Sequence, residues 1–157
     1  MSVLDGAELA HWRSGAERTL EAPSPLAEAA SFAWARFLAE QAAQLGVKGA
    51  LHGLGEPGWG HDLAVLVANL HRALADTEPS RFEVDSAAAT DPSDIDDAAA
   101  RLSRHDIPAR YPDAHPAGPP SEHYRAGDAT DALEAATAVL AWIDATWELL
   151  RIAGDSA

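Results

Sequence analysis

Apolar residues recur at steps of three and four positions through most of this chain, the spacing that gathers side chains on one face of an α-helix. The pattern predicts helices over about 5–21, 26–52, 62–74, 94–104 and 128–150. Alternating runs of β-branched and aromatic residues, which predict strands, are nearly absent. The sequence therefore predicts an all-α fold of about five helices.

Each predicted helix has an apolar face that a helical bundle would bury. These faces consist of Leu9, Trp12, Ala16 and Leu20 in the first helix; Trp34, Leu38, Leu45, Leu51 and His52 in the second; Leu63, Leu66, Val67, Leu70 and Leu74 in the third; Ile95, Ala98 and Leu102 in the fourth; and Ala132, Leu133, Ala136, Val139, Leu140, Ile143, Trp147 and Leu150 in the last. Helix-breaking prolines and glycines separate them, at 22–25, at 53 and 55, and throughout 108–127. We interpret 77–92 as a linker with one weak element at 81–84.

Length and composition narrow the class of protein. With 157 residues the chain is the size of one domain, predicted to span 1–157, and the absence of cysteine excludes disulfides, thiolate zinc sites and cysteine nucleophiles. Eleven basic against 25 acidic residues give a formal charge of −14, so a broad nucleic-acid-coating surface is not expected. Because the sequence has neither a membrane-spanning apolar stretch nor a signal-like start, we expect a cytoplasmic protein away from membranes.

Four aspartates crowd the start of the fourth predicted helix, at positions 91, 94, 96 and 97. Hard cations bind such groups of carboxylates, but this segment lacks the glycine and the distal glutamate of a calcium loop. Carboxylates are also favoured at helix N-termini by the helix dipole. We therefore interpret them as part of the helix start, and we predict no metal site and no cofactor.

Two other segments carry polar groups suited to a ligand or a partner. Asp62 is predicted to cap the third helix, and His61 before it could meet an anion or a partner backbone; a capping and packing role is the alternative. Lys48, the only lysine, shares a helix face with Gln41. Together they could line an interface or pocket, or Lys48 could simply be a solvated side chain that neutralises the carbonyls at the helix end.

The proline-rich segment before the last helix holds the densest set of candidate catalytic groups. His115 follows Arg110 by five positions, with Tyr111 and Asp113 between them. An imidazole can move a proton to or from a ribose oxygen, and a guanidinium can stabilise the phosphorane, so the pair suits a metal-independent ribonuclease. Two such pairs would have to meet in a symmetric dimer. The alternative is a structural Arg110, paired to Asp113 or to the last helix.

Four ordered blocks of the sequence resemble the HEPN domain. They are 35–51, with Phe37, Gln41 and Lys48; 60–63, with His61 and Asp62; 107–114, with the Arg110-Tyr111-Pro112-Asp113 segment; and Tyr124 before the alanine-rich last helix. The resemblance implies an up-and-down helical bundle and a homodimer in which the loops before the two last helices face each other. The prokaryotic branch with the arginine-tyrosine-proline segment also implies pairing with a minimal nucleotidyltransferase in a toxin–antitoxin system.

Two functions stay open on this resemblance, beside a purely structural helical dimer whose loop arginine closes the fold. The first is a toxin that cuts RNA, with Arg110 and His115 as catalytic residues in the dimer cleft. The second is a non-catalytic helical module that binds a nucleotide or docks on a nucleotidyltransferase; it is favoured by Tyr111, which stands where active branches commonly have a polar residue. The predicted binding or dimer-cleft residues are Gln41, Lys48, His61, Asp62, Tyr111 and Asp113.

Overall fold

The computed structural model describes residues 4–77 and 91–155. Within these ranges the chain forms six α-helices and no strand, so the all-α prediction is confirmed. The helices are α1 (Gly6–Leu20), α2 (Pro23–Glu28), α3 (Phe32–Gly53), α4 (Leu63–Asp76), α5 (Pro92–Ser103) and α6 (Ala126–Asp155). Two single-turn 3-10 helices, Pro112–Ala114 and Pro120–Glu122, lie between α5 and α6.

Helix α3 lies at the centre of the bundle and packs against α1, α2, α4 and α6, while α5 packs against α4 and α6. Its buried residues are mostly small, among them Ala35, Ala39, Ala42, Ala43, Gly46, Gly49 and Ala50. Small residues let the neighbouring helices approach closely. A Cβ atom at Gly49 would lie 2.5 Å from the Cβ atom of Trp12, and one at Gly46 would overlap the Leu140 side chain.

The helix predicted over 26–52 is two helices in the structure, so that prediction was wrong at its start. The break is at Ala30, whose φ of 57° lies in the left-handed region. The Ser31 N–H closes the turn by donating to the Leu26 carbonyl at 2.7 Å. Glycine is the usual signal for such a turn, and an alanine in its place carries no such signal in the sequence.

The apolar face predicted for this helix was also partly wrong. Trp34 is 52% exposed and contacts the ring of Phe37 edge to face, whereas Leu51 is buried. Because α3 has neighbouring helices on several sides, its alanines and glycines form the contacts and the bulky ring of Trp34 is left at the periphery.

The remaining boundaries are close to those predicted. α4 begins as expected, with the Asp62 carboxylate accepting from two backbone N–H groups and all five predicted leucine and valine positions buried. α5 begins at Pro92 with Asp91 as its cap rather than at Asp94, because the Asp91 side chain accepts from the Ser93 N–H. α6 begins at Ala126, two residues before Asp128. Residues 81–84 lie outside the described residues.

Helix α3 ends as its glycines predict. Gly55 has a φ of 80°, and its N–H donates to the His52 carbonyl while the Glu56 N–H donates to the Leu51 carbonyl. This pair of bonds is a Schellman motif, which satisfies carbonyls at the helix end. None of the helices in the described ranges combines the length and the apolar character needed to cross a membrane.

Candidate functional site

Two irregular segments lie against one face of α3. That face carries Phe37, Gln41, Gln44 and Lys48, spaced four, three and four residues apart. The segment before α4 reaches it through the His61 carbonyl, which accepts from Gln44 Nε2 at 2.6 Å. The turns after α5 reach it through Arg110, whose guanidinium carbon lies 4.7 Å from the centre of the Phe37 ring.

Glu40 is a buried carboxylate beneath this face, with only 1% of its surface exposed. Nε2 of Gln44 donates to one carboxylate oxygen, and Nε2 of Gln41 donates to the other. Burial raises the pKa of Glu40 to about 7; the two glutamine hydrogen bonds and the charge of Arg110 oppose the rise, and the charge of Asp106 adds to it. Glu40 therefore titrates near neutral pH.

Arg110 is bonded to Asp106 within its own subunit. Its Nε donates to the Asp106 backbone carbonyl at 3.0 Å, and its Nη2 donates to the carboxylate of the same residue at 3.2 Å. The guanidinium also lies over the rings of Phe37 and Tyr111, at 4.7 and 5.1 Å from their centres. For a structural Arg110 we predicted Asp113 or the last helix as its partner, and this prediction was wrong. Arg110 binds Asp106, which lies one turn before it, whereas Asp113 is exposed on a 3-10 turn.

His115 is bonded to the same series of turns. Its Nε2 lies 2.7 Å from the Pro108 carbonyl, so Nε2 carries the proton of that hydrogen bond. Its ring stacks on His123 at 4.1 Å between centres, with planes only 3° apart. Arg110 and His115 thus bind backbone carbonyls two residues apart, those of Asp106 and Pro108.

The other predicted binding residues fall into separate roles. Gln41 and the backbone of His61 belong to the hydrogen-bond network of Glu40, while the imidazole of His61 is exposed. Asp62 caps α4 and accepts from the Ser103 hydroxyl at 3.2 Å, so it joins α4 to α5. Lys48 lies seven residues beyond Gln41, about 10 Å along the helix axis, and is not part of the Glu40 network.

Exposed apolar side chains lie next to the two rings that Arg110 contacts, those of Phe37 and Tyr111. Trp34 is 52%, Ile107 52% and Tyr111 47% exposed. Trp34 touches Phe37 with ring centres 5.8 Å apart, and the Tyr111 N–H donates to the Ile107 carbonyl. We call Trp34, Phe37, Ile107, Arg110 and Tyr111 the Arg110 surface.

Three residues of this site were missed by reasoning from the sequence: Phe37 as a ring under Arg110, Glu40 as a buried acid, and Asp106 as the partner of Arg110. A signal existed for Glu40, since it and Gln44 are polar residues one turn apart in an alanine-rich helix. Asp106 gave none, because it lies in turns that no periodic pattern describes.

Comparison with known proteins identifies the family. The model of the HEPN domain matches residues 9–146. The chain belongs to the HEPN family. The HEPN resemblance inferred from the four blocks is thereby confirmed, and HEPN domains commonly dimerise.

Two solved structures resemble this HEPN chain over most of its length. TT1696 from Thermus thermophilus is 33% identical, with a TM-score of 0.72 over 88% of this chain and 97% of that one. ST0689, described as an archaeal HEPN homologue, is 28% identical, with a TM-score of 0.65 over 87% of this chain and 95% of that one. No curated protein sequence matches the chain.

Proposed function

We propose that this HEPN chain is a non-catalytic partner-binding module that pairs with a second copy of itself through the Arg110 surface. The observation that carries the proposal is the packing of Arg110. Its guanidinium is bonded to Asp106 and lies over the rings of Phe37 and Tyr111, so the residue is fixed in place by its own subunit. A fixed guanidinium among aromatic rings serves recognition, because little conformational entropy is lost when a partner binds it.

The hydrogen bonds of the predicted catalytic pair give both side chains a structural role. Nε of Arg110 and Nε2 of His115 are both engaged with backbone carbonyls of the same subunit. Proton transfer and phosphorane stabilisation each need a nitrogen directed at the substrate. Within the described residues, His115 Nδ1 and Arg110 Nη1 form no hydrogen bond, so any action on RNA would fall to these two nitrogens while the others hold the turns in place.

The composition of the Arg110 surface is that of a protein interface. Tryptophan, tyrosine and arginine are the residues that most often carry binding energy at such interfaces. Here Trp34, Arg110 and Tyr111 lie together, and two of the three are about half exposed. A second copy of the chain would cover apolar area that is otherwise in contact with water.

The net charge predicts opposite effects of salt on two kinds of partner. Two copies of a chain with a charge of −14 repel each other, so dissolved salt should strengthen self-association by screening that repulsion. A nucleotidyltransferase with a basic surface, the partner that the HEPN resemblance implies, would be attracted to this chain, and salt would weaken that complex.

Sedimentation velocity of the full chain over a range of concentrations tests the proposal. The wild-type chain is expected to dimerise, and Trp34→Ala and Tyr111→Ala are each expected to raise the dissociation constant at least about tenfold, or roughly 1.4 kcal/mol. Trp59→Ala is the matched control, because Trp59 is 84% exposed and lies outside this surface. A wild-type chain that stays monomeric, or a control as damaging as the other two, would refute the proposal.

A metal-independent ribonuclease is a second candidate, favoured by the convergence of Arg110 and His115 on one series of turns. Incubation with single-stranded RNA in the presence of a chelator tests it. Cleavage that leaves 2′,3′-cyclic phosphates and that disappears in Arg110→Ala and in His115→Ala, but not in His11→Ala, would support it. RNA left intact by the wild-type chain, or cut equally well by His115→Ala, would exclude it.

A further inference from the structure

A groove between α5 and α6 lies apart from the Arg110 surface and changes in charge from one end to the other. Its inner end is a pocket of about 230 Å³ and its outer end a wider cleft of about 690 Å³. Arg101, Arg104, Asp131 and Ala135 line both parts, so the two are continuous.

The inner end is built around Arg36, a buried cation. Arg36 is 6% exposed, and its guanidinium donates to the backbone carbonyls of Asp128 and Arg101 at 2.9 Å each. No carboxylate is paired with it in the described part of the chain. Its Nε atom is buried and has no hydrogen-bond partner among the described residues. Burial lowers the pKa of Arg36, while Tyr124, Asp128 and Asp131 raise it.

Two further arginines flank this end. The Arg101 side chain forms no hydrogen bond or ion pair within the described ranges, and Arg104 donates only from Nε to the Ala100 carbonyl. Of the two inner carboxylates, Asp128 already accepts from the Arg125 N–H and Asp131 lies at the junction with the cleft. Three guanidiniums thus face two carboxylates, and the inner end carries a net positive charge.

The remaining titratable group of the inner end is His105. Burial lowers its pKa, and its Nδ1 lies 3.0 Å from the Tyr124 hydroxyl. The positive charge of this end therefore comes from the arginines.

The outer end has the opposite sign. Asp94 and Asp97 on α5 and Glu134 on α6 line only the wider cleft. Asp97 precedes Arg101 by four residues and Asp94 precedes it by seven, so the acidic and basic ends are about 6 to 10 Å apart along the helix axis. This polarity disfavours a polyanion, whose charge would meet the carboxylates at the mouth.

We propose that the α5–α6 groove binds a basic amino acid, with its carboxylate at Arg36, Arg101 and Arg104, its α-ammonium at Asp128 and Asp131, and its side-chain cation at Asp94, Asp97 and Glu134. A guanidinium presents paired donors that match a carboxylate. The side chain of lysine or arginine is long enough to place its charge at the acidic end. The site shares no residue with the Arg110 surface, so it stands or falls independently of the proposed function.

Isothermal titration of the full chain with L-lysine tests the site, with pentane-1,5-diamine, which keeps only the two ammonium groups, and hexanoate, which keeps only the carboxylate, as probes. L-lysine is expected to bind saturably, and each of these two probes at least tenfold more weakly. Because Arg36 also holds α5 to α6, the variants are the exposed Arg101→Gln and Asp97→Asn.

Each of the two variants is expected to lose at least tenfold in affinity for L-lysine while keeping the wild-type melting temperature. Arg72→Gln, an exposed arginine on α4, is the matched control and should bind as the wild type does. No saturable binding of L-lysine, or equal binding by Arg101→Gln and the wild type, would overturn the proposal.

Discussion

Arg110 holds Asp106 at two points, its backbone carbonyl at 3.0 Å and its carboxylate at 3.2 Å. The pair closes the turns that follow α5 and fixes the guanidinium over Phe37. One side chain thereby orders the loop and supplies the charged centre of an exposed aromatic surface. This double role lets a binding surface persist in a segment rich in prolines and turns.

Removing Arg110 is therefore expected to destabilise the fold. Arg110→Ala should lower the free energy of unfolding by about 1–2 kcal/mol, because the half-buried Asp106 carboxylate loses a charged donor. Arg110→Lys should recover only part of that loss, since lysine cannot donate to the carbonyl and the carboxylate in the same forked geometry. Urea denaturation measures both values.

Arg18→Ala is the matched control for this prediction. Arg18 pairs with Glu21 at 3.2 Å on the exposed side of α1, and such pairs contribute little. Its change in unfolding free energy should stay within about 0.5 kcal/mol. If Arg110→Ala costs no more than Arg18→Ala, Arg110 is not an anchor of the loop.

The crossing of α1 and α3 depends on Gly49. A Cβ atom there would lie 2.5 Å from the Cβ atom of Trp12, which is fixed to the backbone of α1 and cannot rotate away. Gly49→Ala should destabilise the protein by about 1–3 kcal/mol despite the better helix propensity of alanine. Thermal unfolding gives the difference.

Gly15→Ala is the counterpart on α1. A Cβ atom at Gly15 would meet nothing within 4 Å, so this change should gain stability, by up to about 1 kcal/mol. Opposite signs for the two substitutions would confirm the close crossing. A stabilising Gly49→Ala would show that the two helices are farther apart.

Glu40 should make stability depend on pH. Its pKa is about 7 in the folded chain against an ordinary value of 4.5, so the folded state binds more protons than the unfolded state between these values. The contribution of Glu40 to stability is therefore greatest below pH 4.5 and falls as the pH rises towards 7. Over that range the loss is on the order of 3 kcal/mol.

Glu40→Gln removes this titration. The unfolding free energy of the variant minus that of the wild type should rise between pH 5 and pH 8, whatever its value at pH 5. Glu28→Gln, at an exposed position of α2, should leave the pH profile unchanged. A difference for Glu40→Gln that stays constant over this range would mean that Glu40 is ionised throughout.

The fold was largely predictable because periodic burial governs it. The five leucine and valine positions of α4 are spaced for one face, and Asp62 is a typical cap, so that helix could be predicted from the sequence. The break at Ala30 could not, because an alanine with a positive φ is held there by the surrounding structure. The exposure of Trp34 likewise depends on which helices surround α3.

The candidate site was predictable only in part. Arg110 and Tyr111 stood out as a motif, and Gln41 as a polar residue on a helix face. The partner of Arg110 did not, because Asp106 and Arg110 meet through turns whose geometry the sequence does not specify. The charge gradient of the α5–α6 groove was equally hidden, since it depends on how two separate helices face each other.

Fluorine NMR of the full chain labelled with 5-fluorotryptophan tests most directly whether the Arg110 surface is covered by a second copy. Single tryptophan-to-phenylalanine variants assign the five signals, and the shift between H2O and D2O reports solvent contact for each ring. As the concentration rises, the Trp34 signal is expected to change position and to lose its solvent shift. The signal of Trp59, which is 84% exposed, is expected to keep its position and its solvent shift. A Trp34 ring that stays in contact with solvent while the chain dimerises, or a Trp59 ring that becomes covered instead, would contradict the proposal.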